Sequence, residues 1–344
     1  MRAFTNILLV FLFTACTSVP DERMTSYVDF PETRELTART LSLDSALFRY
    51  PYRVRVQDDK AVVLDLHGTE YFFHAFHYPG FHYLSSFGKR GDAPEEMLSA
   101  ENLRWNGNFL WTLDSNKSEL TRLGFASSGD SLLRLEAVSL DEELLRALDF
   151  VQYDDSTFII PDYSGDGRFC LVSRQGKLLR KIGTVPTANE DALKSARPAL
   201  AQAWRSFIDY NPRNGVLAAA TQLGEVLEIY NLKDSTHIVR IGPNGEPEFQ
   251  ISQGYGIPIG IMGFSDIQVT DSAIYVVFQG RAFKDIMQKA QQGINLPDGG
   301  QNIYVFSLEG KPLRKYVLDH YIHGISVDEQ KGIIIATDVN KDSD

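Results

Sequence analysis

Cysteine is nearly absent from this sequence. The 344 residues contain two cysteines, Cys16 and Cys170, so a framework of disulfides cannot hold the fold together. Stability must come from a hydrophobic core, and a hydrophobic content of 43% is enough to build a large one. Cys170 lies in an apolar segment, and we predict it to be an unpaired residue of a buried strand.

Positive charge is also scarce. Lysine and arginine together number 34, against 45 aspartates and glutamates, which gives a formal net charge of -11 and a pI of about 5.2. A surface of this sign repels phosphate groups, and no run of basic residues offers an exception. Nucleic acid is therefore excluded as a predicted partner.

The motifs of common enzymes are missing as well. The chain has no Gly-x-Ser-x-Gly nucleophile elbow, and SGDG at 164–167 lacks the Lys-Ser/Thr of a phosphate loop. The seven histidines include no pair at a helical metal-ligand spacing. We therefore predict no cofactor, no metal site and no catalytic residue, and the sequence favours a protein that is not an enzyme.

The only long apolar run lies at the N terminus. Residues 4–13 follow Arg2 and are too few to span a bilayer, which is typical of a signal peptide. The next residues, LFTAC, resemble a bacterial lipobox, in which the cysteine is acylated; the alternative is an ordinary cleavable signal with an incidental cysteine. We predict a signal peptide over 1–15, lipidation at Cys16 and a flexible tether over 16–35. The predicted location is the cell envelope, on an outer membrane facing the periplasm, with surface exposure left open.

The rest of the chain repeats one pattern six times. Each copy has a short alternating strand, a turn with Asp or Asn, and an apolar strand, as in YRVRVQDDKAVVLD and ISVDEQKGIIIATD. Asp and Asn tolerate the positive φ of tight hairpins. The turn residues recur every 48 to 60 positions. They are Asp58, Asn106, Asp154, Asn211, Asp271 and Asp328.

A second hairpin follows within most copies, as in FCLVSRQGKLLRKIG (169–183). One copy therefore supplies four antiparallel strands, the content of a propeller blade, and a closed ring protects the sheet edges. A solenoid is the alternative, but it predicts tighter repeats and capping units. We predict an all-β, six-bladed β-propeller as a single domain over 36–344. The polar end after Thr337 leaves the last blade one strand short, and we expect residues 36–43 to return to it and close the ring.

These segments resemble one known family. The chain resembles the TolB-like six-bladed propeller lipoproteins of the Bacteroides group, which are related in style to NHL-repeat propellers. The segments that carry the resemblance are the LFTAC box, PYRVRVQDDKAVVLD, FGKRGDAPEE (87–96) and ISVDEQKGIIIATD. The resemblance covers nearly all of the chain after the signal peptide. It implies the fold and export, but little about a ligand, because one fold hosts many functions.

Strand order predicts where a ligand binds. In a blade of four antiparallel strands, the turns after the first and third strands share one end, which we call the short-turn face. The other end, the long-loop face, receives the insertions 89–98, 183–202, 242–263 and 281–301. Two of these insertions carry helix signals, in NEDALKS and around Phe283. Long loops on a rigid scaffold are common binding sites.

The candidate binding residues are polar groups at or near this face and the mouth of the central channel. They are Lys89, Arg90, Asp92, Glu95, Arg205, Asp266 and His323. Mixed charges around a concave mouth suit a polar ligand. We predict a binding or scaffolding module for a protein, peptide or glycan. The alternatives are a metal-dependent hydrolase or lyase with Asp266 and His323 at the channel mouth, and a purely structural partner in an envelope complex.

Overall fold

The computed structural model describes residues 22–41, 43 and 48–340, so Cys16 and the predicted signal peptide lie outside it. Short strands dominate the described chain, as predicted. Its helices are α1 (Glu190–Ser195), α2 (Arg197–Ala203) and α3 (Phe283–Gln291). No helix in this part of the chain is long and apolar enough to cross a membrane.

Blades 1 to 3 are antiparallel sheets of four strands, which follow chain order from the channel to the rim. Blade 1 contains β3 (Pro51–Gln57), β4 (Lys60–Asp65), β5 (Tyr71–His77) and β6 (His82–Lys89). Blade 2 contains β7 (Asn102–Asn106), β8 (Phe109–Asp114), β9 (Glu119–Phe125) and β10 (Leu132–Ser139). Blade 3 contains β11 (Val151–Asp154), β12 (Thr157–Pro161), β13 (Phe169–Ser173) and β14 (Leu178–Ile182).

Blades 4 and 5 have the same four strands and a fifth at the rim. Blade 4 contains β15 (Ser206–Asn211), β16 (Val216–Thr221), β17 (Val226–Asn231), β18 (Thr236–Ile241) and, outermost, β1 (Glu22–Ser26). Blade 5 contains β21 (Phe264–Val269), β22 (Ala273–Phe278), β23 (Gly300–Ser307), β24 (Pro312–Ile322) and, outermost, β2 (Thr33–Leu36). Between these blades, β19 (Phe249–Ser252) and β20 (Tyr255–Pro258) form a separate hairpin.

Blade 6 is the smallest blade. Within the described residues it consists of β25 (Ile325–Asp328) and β26 (Ile333–Ala336). The described part of 36–43 does not form the strand that was expected to complete blade 6, because β2 ends at Leu36 on the rim of blade 5, where it pairs in parallel with β24. Leu43 and Ile335 of β26 both pack against the buried cluster of blade 1. The ring closes instead through β25 itself, since the backbone N–H of Val56 on β3 donates to the Ser326 hydroxyl at 3.1 Å.

The inner strands of neighbouring blades lie in a regular register around the channel. The Asp209 carboxylate on β15 accepts from the backbone N–H of Val269 on β21 at 2.7 Å. The Asp266 carboxylate on β21 likewise accepts from the N–H of Ile325 on β25 at 2.8 Å. Equivalent residues of successive blades therefore meet, and the blades point the same way. The tight turns lie at one end of the blades and the four long insertions at the other, as predicted.

Contacts between neighbouring blades make up the core. Phe73 and Leu103 belong to the buried cluster between blades 1 and 2, and Trp111 and Phe158 to the one between blades 2 and 3. In blade 4, all six residues of β16 are buried, because both faces of this strand are covered by other blades. The three alanines in its sequence VLAAAT keep the side chains small where the blades approach closely.

Residues 22–36, which we call the N-terminal strap, are packed on the propeller, although most of them were expected to form a tether. The strap pairs with blades 4 and 5 and inserts Tyr27 and Phe30 into the core between them. The Tyr27 hydroxyl donates to Glu225 at 2.7 Å, and the Phe30 ring lies 4.6 Å from that of Tyr304. The part of the predicted tether that is described is therefore an ordered part of the propeller.

Candidate functional site

The channel centre is filled by paired charges. The two terminal guanidinium nitrogens of Arg55, Nη2 and Nη1, donate to the Asp266 carboxylate at 2.8 and 2.9 Å, and Arg53 Nε lies 3.4 Å from the same group. Burial alone would raise the pKa of Asp266, but the charges of Arg53 and Arg55 outweigh it and hold that pKa well below its usual range. Asp266 is therefore a carboxylate whose oxygens are already occupied.

A second set of charges joins blades 2, 3 and 4. Arg104 on β7 lies 3.1 Å from Asp149, which precedes β11, and 2.9 Å from Asp209 on β15. Asp149 also accepts from the backbone N–H of Ile208 at 2.9 Å. Buried charges are tolerated when they are paired and fully hydrogen-bonded in this way. We call Arg53, Arg55, Arg104, Asp149, Asp209 and Asp266 the arginine–aspartate network.

His323 lies next to this network. Its Nδ1 is 3.1 Å from Arg53 Nη1, and its ring centroid lies 4.2 Å from that of Tyr52. Because a guanidinium can only donate, Nδ1 is the acceptor and the imidazole is neutral. Burial, reinforced by the charge of Arg53, lowers the pKa of His323 far below its usual range.

The His323 environment predicts a dependence of stability on pH. The unfolded chain takes up a proton below the ordinary imidazole pKa of about 6.5, whereas the native imidazole stays neutral, so this contribution to stability is complete above that pH and is lost as the pH falls. His323→Gln keeps an acceptor for Arg53 but removes the proton uptake. We expect wild type to lose up to about 1.4 kcal/mol per pH unit between pH 6 and 4.5 through this group. Urea midpoints of both proteins across this range measure it, and equal pH slopes would contradict the assignment.

The structure brings two of the seven predicted binding residues together. Asp266 and His323 meet beside Arg53, but both are buried, so they are not accessible groups at the channel mouth as predicted. Arg205 lies partly buried just before β15.

The other four lie in the connection from blade 1 to blade 2. Lys89 pairs with Glu96 at 2.7 Å, and Glu95 with Arg134 at 3.1 Å. Arg90 donates to the carbonyl of Gly68 at 2.9 Å, and Asp92 is exposed. These side chains are held mainly by their own loop and the adjacent hairpins, so the seven residues do not form a single site.

The long-loop face also carries a surface of exposed apolar residues, which none of the seven predicted residues belongs to. Tyr255, Ile257 and Ile259 alternate along one side of the β19–β20 hairpin and its continuation, and 60% of Tyr255 is exposed. On the opposite side, Gly256 packs on α2 so closely that a Cβ would lie 2.4 Å from the carbonyl oxygen of Ala199. Only glycine fits there, and this contact holds the hairpin with its apolar residues outward.

Helix α3 adds to this surface. The backbone N–H of Phe283, the first residue of α3, donates to the carbonyl of Gly260 at 3.0 Å, so the helix begins beside the hairpin. The helix is amphipathic, yet none of its residues is buried, and Met287 is 62% exposed. We call Tyr255, Ile257, Ile259 and Met287 the apolar patch.

A polar cleft of about 460 Å³ adjoins the patch. Its lining residues include Thr187 and Asn189 from the α1 side, and Asn244, Glu246 and Ile259 from the hairpin side. Two of the long insertions thus meet at one point of the face. The sequence signal is the run GYGIPIGI, in which apolar residues alternate with glycine or proline.

The family model described as TolB-like 6-blade propeller-like matches residues 29–330. The chain belongs to this family. The match begins inside the N-terminal strap and extends into blade 6, so it covers all six inner strands described above. No curated protein matches the chain.

Solved structures support the TolB-like architecture. A member of the DUF4221 family from Bacteroides vulgatus superposes with a TM-score of 0.52 at 8% identity, over 86% of this chain and 88% of that one. An auxiliary nutrient binding protein from Bacteroides ovatus gives a TM-score of 0.52 at 9% identity, over 86% of this chain and 68% of that one. Likeness at such low identity concerns the fold alone, so the function of this TolB-like propeller has to be argued from its own surface.

Proposed function

We propose that this TolB-like propeller is an exported, lipid-anchored binding module that captures a protein or peptide through the apolar patch. The observation that carries the proposal is the exposure of Tyr255, Ile257, Ile259 and Met287 on the long-loop face. A folded domain gains by burying such groups, so apolar residues that a rigid hairpin holds outward are typical of a contact surface. Aromatic residues and methionine are also enriched at the centres of protein interfaces.

The character of the patch favours a protein or peptide over a glycan. Sugars need many aimed hydrogen bonds, whereas three of the four patch side chains are purely aliphatic or thioether groups. The polar cleft beside the patch supplies amides and carboxylates at its border, the usual arrangement of an apolar centre with a polar rim. We also propose a polar contact on the blade 1 side of the same face, formed by Lys89, Arg90, Asp92 and Glu95.

The alternative of a metal-dependent enzyme has less support. It relies on Asp266 and His323 as ligands at the channel mouth. Asp266 accepts from Arg55 and from the backbone of Ile325, and His323 Nδ1 accepts from Arg53. A metal ion would have to displace these donors and lie beside two guanidinium charges, which is electrostatically unfavourable.

Site-specific crosslinking tests the binding proposal. A photoreactive amino acid at Ile257 is expected to give one adduct of defined mass in cells, and Ile259→Asp in the same chain should abolish it by placing a charge in the contact. The stability of the folded propeller should change by only about 0.5 kcal/mol, because the position is exposed.

The matched control carries the photoreactive residue at Asp155, in a tight turn of the short-turn face. An adduct at position 155 that equals the one at position 257, or an adduct that Ile259→Asp leaves unchanged, would exclude the patch as the binding surface.

Membrane attachment is tested at Cys16, which lies outside the described residues. Cys16→Ala should move the protein from the membrane fraction to the soluble fraction, because the acyl chains that supply the membrane affinity are absent. Metabolic labelling with a fatty acid analogue should mark wild type only. A variant that stays in the membrane fraction would show that acylation is not the anchor.

A further inference from the structure

The N-terminal strap joins the propeller at its circumference. β1 is the outermost strand of blade 4, paired with β18 from Glu22 opposite His237 to Ser26 opposite Ile241. The strap then continues to the outermost position of blade 5. Because β1 runs parallel to β18, which begins right after a turn of the short-turn face, Glu22 lies at the short-turn edge of the blade 4 rim, and the predicted lipid anchor precedes it in the chain.

The point of attachment is fixed. Tyr27 and Phe30 are buried between blades 4 and 5, and the Tyr27 hydroxyl is bonded to the buried Glu225. Peeling the strap away would expose both buried rings to water, which is unfavourable, so the strap stays attached. On its outer side the strap exposes Met24 and Val28, so apolar groups face away from the ring on this rim.

The covalent distance to the anchor is short. Five residues separate Cys16 from Glu22, and the six steps from one Cα to the next span about 20 Å in a fully extended chain. An acylated Cys16 lies at the lipid headgroups, so blade 4 must stay within about 20 Å of the bilayer surface. The blades across the ring have no such constraint.

We propose that the propeller meets the bilayer at the short-turn edge of the blade 4 rim, where the strap begins. This inference rests on the lipid anchor of the proposed function. The lipid surface is the partner of this edge, and blade 4 is the part of the ring nearest to it. The apolar patch lies on the long-loop face, at the opposite end of the strands from this edge, and remains open to a protein.

Energy transfer to labelled lipids tests this orientation. Ser235 and Ser127 are exposed and occupy the same turn, between the third and fourth strands, in blades 4 and 2. Ser235→Cys and Ser127→Cys are near-isosteric and carry the donor dye in separate proteins. Native Cys170 should not react, since it is buried and burial raises the pKa of its thiol to about 12. The full acylated chain is reconstituted in phosphatidylcholine vesicles that contain an acceptor lipid.

The expected result is several-fold more transfer from position 235 than from position 127. Flotation with the vesicles is measured first, with Cys16→Ala as the control that should stay behind. Acylated protein that does not float overturns the anchor and the orientation with it. Protein that floats but transfers equally from both positions, or more from 127, overturns the orientation alone.

Discussion

Asp266→Ala is expected to destabilise the propeller by about 3–5 kcal/mol, because removing one partner leaves buried charges unpaired. Arg53 and Arg55 would lose the carboxylate that both of them face, in a place that water does not reach. The substitution removes contacts where blade 6, the smallest blade, joins its two neighbours. Ile325, the first residue of β25, donates to Asp266 and accepts from Arg55 at 2.7 Å, so the same pair holds blade 6 between blades 5 and 1.

Equilibrium unfolding in urea measures this effect, and Asp92→Ala, at an exposed position of the long-loop face, is the control. Hydrogen exchange should show that β25 and β26 lose protection first in the variant, since within the described residues they form a blade of two strands. An Asp266→Ala protein as stable as the control would contradict the structural role of the network.

The pH dependence of this effect has a definite sign. The pKa of Asp266 is depressed in the folded protein, so its contribution to stability is complete above the ordinary carboxyl pKa of about 4 and is lost as the pH falls below it. The difference in stability between wild type and Asp266→Asn should therefore be largest near neutral pH and shrink towards pH 3. A difference that does not change with pH would mean that the side chain acts through packing rather than through charge.

The fold could be predicted because the sequence patterns that indicate its hairpins are local. A hairpin needs a turn that tolerates positive φ and two flanking alternating strands, and each can be recognised in a short stretch of sequence. Asp58, for example, adopts φ 53° in the turn between β3 and β4. The short helix α2 is different, because a proline such as Pro198 usually marks the end of a helix in sequence. In the protein, α1 ends at Ser195 and Pro198 lies in the first turn of α2, where its missing N–H costs nothing.

The N-terminal strap could not be predicted from local pattern. Its strands, ERMTS and TREL, are short and polar and show no alternation. They are ordered because Tyr27 and Phe30 fit between two blades that lie about 200 residues or more further along the chain. Such contacts depend on the assembled ring, and the composition of the segment alone resembles a linker.

Part of the arginine–aspartate network can be recognised in the sequence. When the six copies are aligned on their turn residues, Arg53, Asp149, Asp266 and His323 all lie five positions before the turn. A single column therefore carries Arg53, Asp149 and Asp266, half of the network, and the other half lies two or three positions before the turn at Arg55, Arg104 and Asp209. Only Asp266 and His323 were predicted as site residues, because strand alternation identifies the face on which a side chain lies but not which side chains of distant blades meet.

Glu228→Ala is the second substitution with a large expected effect. Arg168 and Glu228 form a pair at the interface of blades 3 and 4, with nitrogen–oxygen distances of 2.6 to 3.1 Å, and neither side chain has any exposed surface. Arg168 also donates to the Ser206 hydroxyl at 2.7 Å. Without Glu228 the guanidinium charge is buried and uncompensated, and we expect a loss of about 3–5 kcal/mol in the free energy of unfolding.

A double-mutant cycle separates this charge effect from the loss of packing. Replacing both partners, with Arg168→Met and Glu228→Leu, removes the charges and keeps much of the volume, so the double variant should recover most of the stability that either single replacement loses. Glu190→Ala, which breaks the exposed pair with Lys194 on α1, should leave stability almost unchanged. If the double variant instead loses the sum of the two single effects, the cost lies in the packing of the two side chains and not in an unpaired charge.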